Sequence, residues 1–238
     1  MQNMAKLLLL LCLLFLASPI FAQQEENKIF FTDALSLHLP KYKQKSADAY
    51  AHRDFAEGIR LFDSLVDYGL NGSYMNDFKF NKLNSKEVSL YDFKKPVYFI
   101  TYASWCVSTE GEVPAINELA NKYSEEIDFV ILFWDDQKTT KQMAKAYNKN
   151  INVVYVNELN NRDAHVVSQL KHSLGLPTTF LINKDKQILD IRRGVSHAYN
   201  KSFEESFDLN YNSMYDAIAN HLLGEKNFNT NQETVAIN

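Results

Sequence analysis

The segment ASWCVSTEGEVP, residues 103–114, decides the fold. It follows VYFITY (97–102), a short apolar run rich in β-forming residues, and it begins a stretch whose apolar side chains recur at helical spacing (112–125). The order of strand, cysteine and helix predicts that the Cys106 sulfur lies at a helix N-terminus. The helix dipole and the free backbone N–H groups stabilise an anion there. Cys106 is therefore predicted to be a reactive thiolate, the nucleophile that disulfide exchange requires.

Strand and helix patterns alternate on either side of this segment, from about residue 75 onward. The further predicted elements are a buried strand FVILFW (129–134), a helix (138–148), a brief strand (153–156), a helix (164–174), a hairpin of TFLI (179–182) and ILDI (188–191), and a last helix that ends at Gly224. Alternating strands and helices followed by a hairpin and a helix are typical of an α/β sandwich around a mixed sheet.

The segment before these elements, residues 23–74, is predicted to be a small helical extension. One apolar face at helical spacing is formed by Phe55, Ile59, Phe62 and Val66. Because this segment is too short for a core of its own, we expect it to pack on the main domain, residues 75–224. The polar tail, residues 225–238, is predicted to be disordered.

Residues 1–22 have the pattern of a secretory signal. Lys6 precedes an unbroken apolar run (7–17), and a small residue, Ala22, stands before Gln23. The run is too short to span a bilayer, which needs about 20 residues. We expect cleavage after Ala22, no stable membrane span in the mature protein, and export, most simply to the periplasm or cell envelope of a bacterium. The alternative is an uncleaved membrane anchor.

The composition of the chain argues against several classes of function, among them nucleic-acid binding and metal binding. Hydrophobic residues make up 46% of the 238-residue chain, so a core is expected, and no basic cluster points to nucleic acid. The formal charge of −4 becomes −5 when the signal is removed, because Lys6 is lost and no acid is. Cys12 is lost with the signal as well, so Cys106 has no intramolecular disulfide partner and is either buried or reactive. The histidines lack metal-ligand spacing, and neither a metal nor a bound cofactor is expected.

The 103–114 segment resembles the active site of the thioredoxin-like superfamily, in its exported branch of TlpA/ResA-type thiol-disulfide oxidoreductases. Members carry W-C-x-x-C-x-x-E-x-P, and the matching positions here are Trp105, Cys106, Glu112 and Pro114. Downstream, GLPTTFLI (175–182) matches the family's G-x-P-T-T-F-L-I, and upstream EVSLYDF (87–93) resembles the lead-in to its central strand. The resemblance covers about residues 75–224. It implies a thioredoxin-like three-layer sandwich with a mixed central sheet.

The chain departs from this family at one position, because Thr109 stands where the family has its second cysteine. A threonine hydroxyl neither forms nor breaks S–S bonds, so it does not resolve a mixed disulfide. The resemblance implies that Cys106 is the nucleophile and that Glu112 tunes its protonation. Thr109 is expected to donate a hydrogen bond to the Cys106 thiolate and to keep the thiol pKa low.

The resemblance also implies a substrate groove next to the cysteine. Pro177 is expected to follow a cis peptide bond and to shape this groove. The backbone of Leu176 is then exposed for antiparallel pairing with an extended peptide. Trp105 is expected to contribute to substrate binding as well as to packing.

Three functions remain open at this stage. The first is monothiol exchange, in which Cys106 forms mixed disulfides with protein or small-molecule thiols and disulfides and an external thiol resolves them. The second is a non-enzymatic binding module that keeps the groove after the redox pair has decayed. The third is a single-cysteine thiol peroxidase, because ASWCVST (103–109) also resembles the A-S-x-C-x-x-T segment of glutathione peroxidases, with Gln137 in place of their glutamine. The Trp-Asn-Phe segment of that family is missing here.

Overall fold

The computed structural model describes residues 28–106, 108–158, 167–194 and 201–223. The predicted signal (1–22) and the predicted tail (225–238) lie outside these ranges. The helices are α1 (Phe31–Ala51), α2 (Phe55–Leu65), α3 (Glu112–Tyr123), α4 (Gln137–Met143) and α5 (Phe203–Ala217). Within the described ranges, no helix combines the length and the apolar character needed to cross a membrane.

Seven strands form one mixed sheet, in the order β2-β1-β5-β4-β3-β6-β7. Their bounds are β1 (Lys79–Lys82), β2 (Glu87–Ser89), β3 (Val97–Tyr102), β4 (Asp128–Phe133), β5 (Ile151–Tyr155), β6 (Thr178–Ile182) and β7 (Ile188–Arg193). The neighbours β3, β4 and β5 run parallel, whereas β6, β7, β1 and β2 join the sheet by antiparallel pairing. The hairpin of β1 and β2 was not predicted from the sequence.

The sheet is buried on both faces, because the side chains of each strand alternate between two apolar clusters. In β3, Val97 and Phe99 join one cluster with α1 and α2. Tyr98 and Ile100 join the other cluster, with α3 and α5. A strand covered on both faces reads as the continuous apolar run that the sequence contains. The predicted α/β sandwich around a mixed sheet is therefore confirmed.

The expected packing of the N-terminal helices on the main domain is also confirmed. Phe31 at the start of α1 is fully buried, and its ring meets Phe180 of β6 edge-on, with 5.5 Å between centroids. The Phe31 amide donates a hydrogen bond to the Tyr74 carbonyl (2.8 Å). The extension therefore supplies an outer layer of the sandwich, on the sheet face opposite α3 and α5.

The predicted apolar face of α2 is wrong in part. Phe62 and Val66 are buried, but Phe55 and Ile59 are each 63% exposed. A Cβ on Gly58 would lie 2.9 Å from the Tyr50 ring, so α1 covers the side of α2 that carries Gly58. The buried side of α2 carries Gly58, Leu61, Phe62 and Leu65, so its apolar face is rotated from the predicted one.

Other helix bounds differ modestly from the predictions. The helix predicted over 138–148 is α4 followed by a 3₁₀ turn, Ala144–Ala146. Of the helix predicted over 164–174, the structure describes residues 167 onward, where a π-helical turn spans Val167–Lys171. Its Leu170 and the following Leu174 are buried in the cluster that α1 and α2 share with the sheet.

Candidate active site

The cysteine-bearing loop connects β3 to α3 at the carboxyl end of the parallel strands. The Cys106 backbone N–H donates to the Ala103 carbonyl (2.9 Å), which closes a tight turn directly after β3. Helix α3 begins only at Glu112, with Gly111 as its N-cap. The prediction that Cys106 lies at a helix N-terminus is therefore wrong, since the cysteine precedes the first helical residue by six positions.

Contacts with α5 explain the late start of α3. A Cβ on Gly111 would lie 2.2 Å from the backbone nitrogen of Phe207, so this part of the loop lies directly against the α5 backbone. The Gly111 amide donates to the Ser206 hydroxyl oxygen (3.1 Å). The loop is thus held flat on a neighbouring helix instead of being wound into the first turn of α3.

The Thr109 side chain is part of the same contact. Asn210 of α5 donates its Nδ2 hydrogen to Thr109 Oγ1 (2.8 Å) and another to the Ser206 carbonyl (2.7 Å). Among the described residues, no hydrogen bond joins Thr109 to Cys106. The expected hydrogen bond to the thiolate is therefore not formed, and Thr109 instead anchors the loop to α5.

The surroundings of the Cys106 thiol favour its protonated form. The side chain is half-buried and packs against both apolar clusters of the sheet. Burial raises the thiol pKa above its ordinary value, and the charges of Asp135 and Glu112 raise it further. A hydrogen bond from the Ala103 backbone and the charge of Lys171 act in the opposite direction but do not outweigh burial. The expected low pKa is therefore not supported.

Asp135 was missed by the sequence analysis. It follows Trp134 at the end of β4 and accepts two hydrogen bonds from Ser104, from the backbone N–H to Oδ2 (2.8 Å) and from the hydroxyl to Oδ1 (2.6 Å). The carboxyl ends of adjacent parallel strands meet at one sheet edge, so a polar residue after β4 lies beside the loop after β3. That position is the signal that identifies Asp135 from sequence.

Glu112 lies in a largely apolar setting. Burial raises the pKa of its carboxyl above the ordinary value, and interactions with the Thr109 backbone and the Tyr102 hydroxyl offset this only in part. The Tyr102 hydroxyl beside it is buried. Both side chains line an enclosed cavity of about 10 Å³, which is about the space that one water molecule occupies. The charge of Glu112 also raises the pKa of the Cys106 thiol.

A groove of about 380 Å³ opens beside the loop. Its walls are formed by Thr109, Glu112, Leu174, Gly175, Leu176, Pro177, Arg193 and Gly194. The peptide bond between Leu176 and Pro177 is cis. The structure therefore brings four of the six predicted site residues, Thr109, Glu112, Leu176 and Pro177, to one groove.

The two remaining predicted residues lie outside the groove wall. Cys106 is not among its lining residues, although Thr109, three positions later, is. Trp105 is 66% exposed and belongs to neither apolar cluster. Gln137, the residue considered for a peroxidase, donates its Nε2 hydrogens to the Leu83 carbonyl (2.9 Å) and to Ser85 Oγ (2.7 Å). These bonds hold the Gln137 side chain at the β1–β2 turn, so its position does not support a peroxidase.

Lys171 and Arg193 are further functional candidates that the sequence analysis missed. Lys171 pairs with Glu158 and is close enough to Cys106 to lower its pKa. Arg193 ends β7 and lines the groove. Neither residue belongs to a motif, and only the fold brings them to the cysteine-bearing loop. Among the described residues, no group of three or more His, Cys, Asp or Glu side chains is arranged to hold a metal ion.

Comparison with known proteins finds a matching family and similar proteins. The model of the AhpC/TSA family matches residues 72–191. The thiol-disulfide oxidoreductase ResA of Bacillus thuringiensis subsp. konkukian (strain 97-27) is 29% identical over 126 residues, covering 52% of this chain and 69% of that protein. The thioredoxin-like protein YneN of Bacillus subtilis (strain 168) is 28% identical over 143 residues, covering 58% of this chain and 79% of that protein.

Solved structures resemble the chain as well. The solution structure of a thiol:disulfide interchange protein from Bacteroides sp. has a TM-score of 0.47 at 19% identity, and the match covers 61% of this chain and 88% of that one. The family match, the mixed seven-stranded sheet and the helices before the domain identify the fold as thioredoxin-like.

Proposed function

The chain belongs to the AhpC/TSA family, and we propose that it is an exported thioredoxin-like protein that exchanges disulfides through the single thiol of Cys106. The observation that carries this proposal is the setting of that thiol. It is half-exposed at the carboxyl end of β3, and it lies within the electrostatic reach of Glu112 and Lys171. Export to a cell envelope is supported by the signal pattern of residues 1–22.

The first step of the proposed reaction forms a mixed disulfide. Cys106 loses its proton to Glu112, whose raised pKa makes its carboxylate a better base than an exposed one. The Cys106 thiolate then attacks one sulfur of a substrate disulfide, R–S–S–R′. A bond forms between Cys106 and the R sulfur while the substrate S–S bond breaks. The leaving R′ thiolate takes up the proton held by Glu112 and departs as R′–SH.

The second step requires a thiol from outside the chain, because Thr109 does not attack sulfur. An external thiol, R″–SH, gives its proton to Glu112 and attacks the R sulfur of the mixed disulfide. The products are R–S–S–R″ and the Cys106 thiolate, which regains its proton from Glu112. One disulfide and one thiol enter and one of each leaves, so the cycle needs no separate oxidant or reductant.

A mass measurement tests this proposal directly. The mature protein is incubated with a small disulfide at pH 8 and its intact mass is recorded with time, before and after addition of a second thiol. We expect one adduct on the wild type, its release by the second thiol, and no adduct on Cys106→Ser. An adduct that forms only after unfolding, or one that the second thiol does not release, would contradict the proposal.

A groove-binding module without exchange chemistry is the second candidate. Two observations favour it: Thr109 replaces the second cysteine, and burial raises the pKa of the Cys106 thiol. In that case the wild type shows no adduct in the same experiment. Binding of a labelled peptide to the groove, measured by fluorescence anisotropy, is then unchanged in Cys106→Ser.

A further inference from the structure

Arg193 is an exposed cation held in place at the edge of the groove. Its Nη2 group donates to the Tyr42 hydroxyl (3.0 Å) and to the Leu174 carbonyl (3.2 Å). Its guanidinium carbon lies 4.0 Å from the centre of the Phe62 ring, a cation–π contact. Tyr42 belongs to α1 and Phe62 to α2, so both helices of the extension fix the position of this side chain. A long side chain oriented in this way loses little entropy when a ligand binds.

The charge of Arg193 is not neutralised within the described part of the chain. No carboxylate there pairs with it, whereas Arg192, its neighbour on β7, pairs with Asp190 at 2.6 Å. The hydrogen bonds that the Arg193 side chain makes to described residues use Nη2, and no described residue bonds its Nε or Nη1. A planar guanidinium with free N–H groups is suited to the two oxygens of a carboxylate.

The ionisable groups of the groove differ in exposure. Among the described residues of the groove wall, Glu112 is the only ionisable side chain besides Arg193, and Glu112 is half-buried whereas Arg193 is exposed. The other described wall residues are neutral. An anion that enters at the exposed edge of the groove therefore meets the positive charge of Arg193.

The backbone beside Arg193 is suited to an extended chain. Leu176 lines the groove and lies outside the strands, and no hydrogen bond joins its amide or carbonyl to another described backbone group. A free N–H and a free C=O on one residue are the groups that pair with a peptide in β-fashion. Arg193 lines the same groove and is bonded to the Leu174 carbonyl, so a peptide with its backbone on Leu176 passes close to the guanidinium of Arg193.

From this arrangement we infer that the groove binds an extended acidic peptide, whose Asp or Glu side chain pairs with Arg193. The inference deepens the proposed function, on which it rests for its physiological meaning, because it names the class of disulfide substrate as a protein segment with a carboxylate near its cysteine. It also gives the N-terminal extension a role in specificity. Tyr42 and Phe62 are positioning residues that act through Arg193.

Binding to an unreactive protein tests the inference independently of exchange chemistry. Fluorescein-labelled peptides, with serine in place of cysteine and flanked by Glu, Gln or Lys, are titrated with Cys106→Ser and followed by anisotropy. We expect the Glu peptide to bind about tenfold more tightly than the Gln peptide, and the Lys peptide most weakly. This preference should decrease as salt is added.

Variants then assign the preference to one side chain. Arg193→Gln, made in the same background, should bind the Glu and Gln peptides alike. Arg192→Gln is the matched control on the same strand and should keep the preference. Tyr42→Phe should reduce the preference while leaving the affinity for the Gln peptide unchanged, a result that loss of folding would not produce.

Three results would overturn the inference. They are equal affinities for the Glu and Gln peptides, a preference that survives in Arg193→Gln, and no binding of the Glu peptide at millimolar concentration. None of these results depends on the reactivity of Cys106. A protein that exchanges disulfides but has no charge preference would therefore refute this inference and leave the proposed function intact.

Discussion

The Cys106 thiol senses charges from three separate elements of the chain. Asp135 follows β4, Glu112 opens α3, and Lys171 lies in the turn that precedes β6. Burial and the charges of the two acids raise the thiol pKa by more than Lys171 and the hydrogen bond from Ala103 lower it. The folded protein therefore holds the thiol proton more tightly than an unfolded chain does. A higher pKa lowers the thiolate fraction at neutral pH, but each thiolate is then a stronger nucleophile. The site is therefore suited to slow exchange that accelerates as pH rises.

The pH dependence of Cys106 alkylation tests this electrostatic account. For the folded wild type, we expect the rate to rise with pH through an apparent pKa above the ~8.5 of a free thiol. Asp135→Asn removes a negative charge and should lower the apparent pKa, which raises the rate at pH 7.5 roughly twofold or more. Lys171→Gln removes a positive charge and should shift both quantities in the opposite direction.

The same shift has a consequence for stability whose sign is fixed. Because the folded-state pKa is raised, the stability that the bound proton contributes is fully present below the unfolded-state pKa. It is lost as pH rises through the folded-state pKa. Thermal unfolding of the wild type and of Cys106→Ser should therefore diverge only above about pH 8.5. An apparent pKa below that of a free thiol, or shifts of the same sign in Asp135→Asn and Lys171→Gln, would contradict the account.

At the scale of elements, α5 shapes the cysteine-bearing loop. The loop lies on α5 through the close approach at Gly111, the hydrogen bond to Ser206 and the pair of Thr109 and Asn210. These contacts explain why helix α3 starts only at Glu112. Periodicity predicts a helical stretch over residues 112–125, in agreement with this start, but the packing of the loop before it depends on a partner almost a hundred residues away in sequence.

Substitution of Gly111 tests this contact. In Gly111→Ala the added Cβ would lie 2.2 Å from the Phe207 nitrogen and 2.5 Å from its Cα, which are backbone atoms that yield only if α5 moves. We expect a loss of about 2 kcal/mol or more in the free energy of unfolding, although alanine is normally the better helix former. Urea denaturation measures this loss.

Gly175→Ala is the matched control for that substitution. Gly175 has a φ of +87°, but nothing lies within 4 Å of an added Cβ. Its cost is therefore limited to backbone strain, about 1 kcal/mol. A Gly111→Ala protein as stable as Gly175→Ala, or more stable, would show that the loop does not depend on its contact with α5.

At the scale of the whole molecule, the sequence predicted the helices and strands but not which residues of different elements come into contact. Continuous apolar runs identify β3 and β4, since strands buried on both faces carry no polar alternation. Cys106 and Pro177 were found because they belong to motifs. Asp135 and Arg193 belong to none, and their roles arise from the order of strands in the sheet and from the packing of α1 and α2.

The helices of the extension were predicted from the sequence, but the face that they bury was not predicted correctly. Two phenylalanines test whether the extension is a layer of the sandwich or an independent unit. Phe31 is fully buried against Phe180, whereas Phe55, on the predicted apolar face, is 63% exposed. If α1 and α2 form an outer layer of the sandwich, the first residue is part of the core and the second is not.

Stability measurements on these two residues decide whether the extension is integral to the fold. Phe31→Ala should cost about 3–5 kcal/mol, because it leaves a cavity between α1 and β6. Phe55→Ala should change stability by no more than about 0.5 kcal/mol. Unfolding is followed by far-UV circular dichroism, which reports the helices, and by tryptophan fluorescence in a Trp105→Phe background, which reports Trp134 beside the sheet. The two transitions should coincide. Equal costs for the two substitutions, or transitions that separate, would mean that the extension folds as an independent unit. Arg193 would then lack a fixed position, because Tyr42 and Phe62 hold it only while the layer is in place.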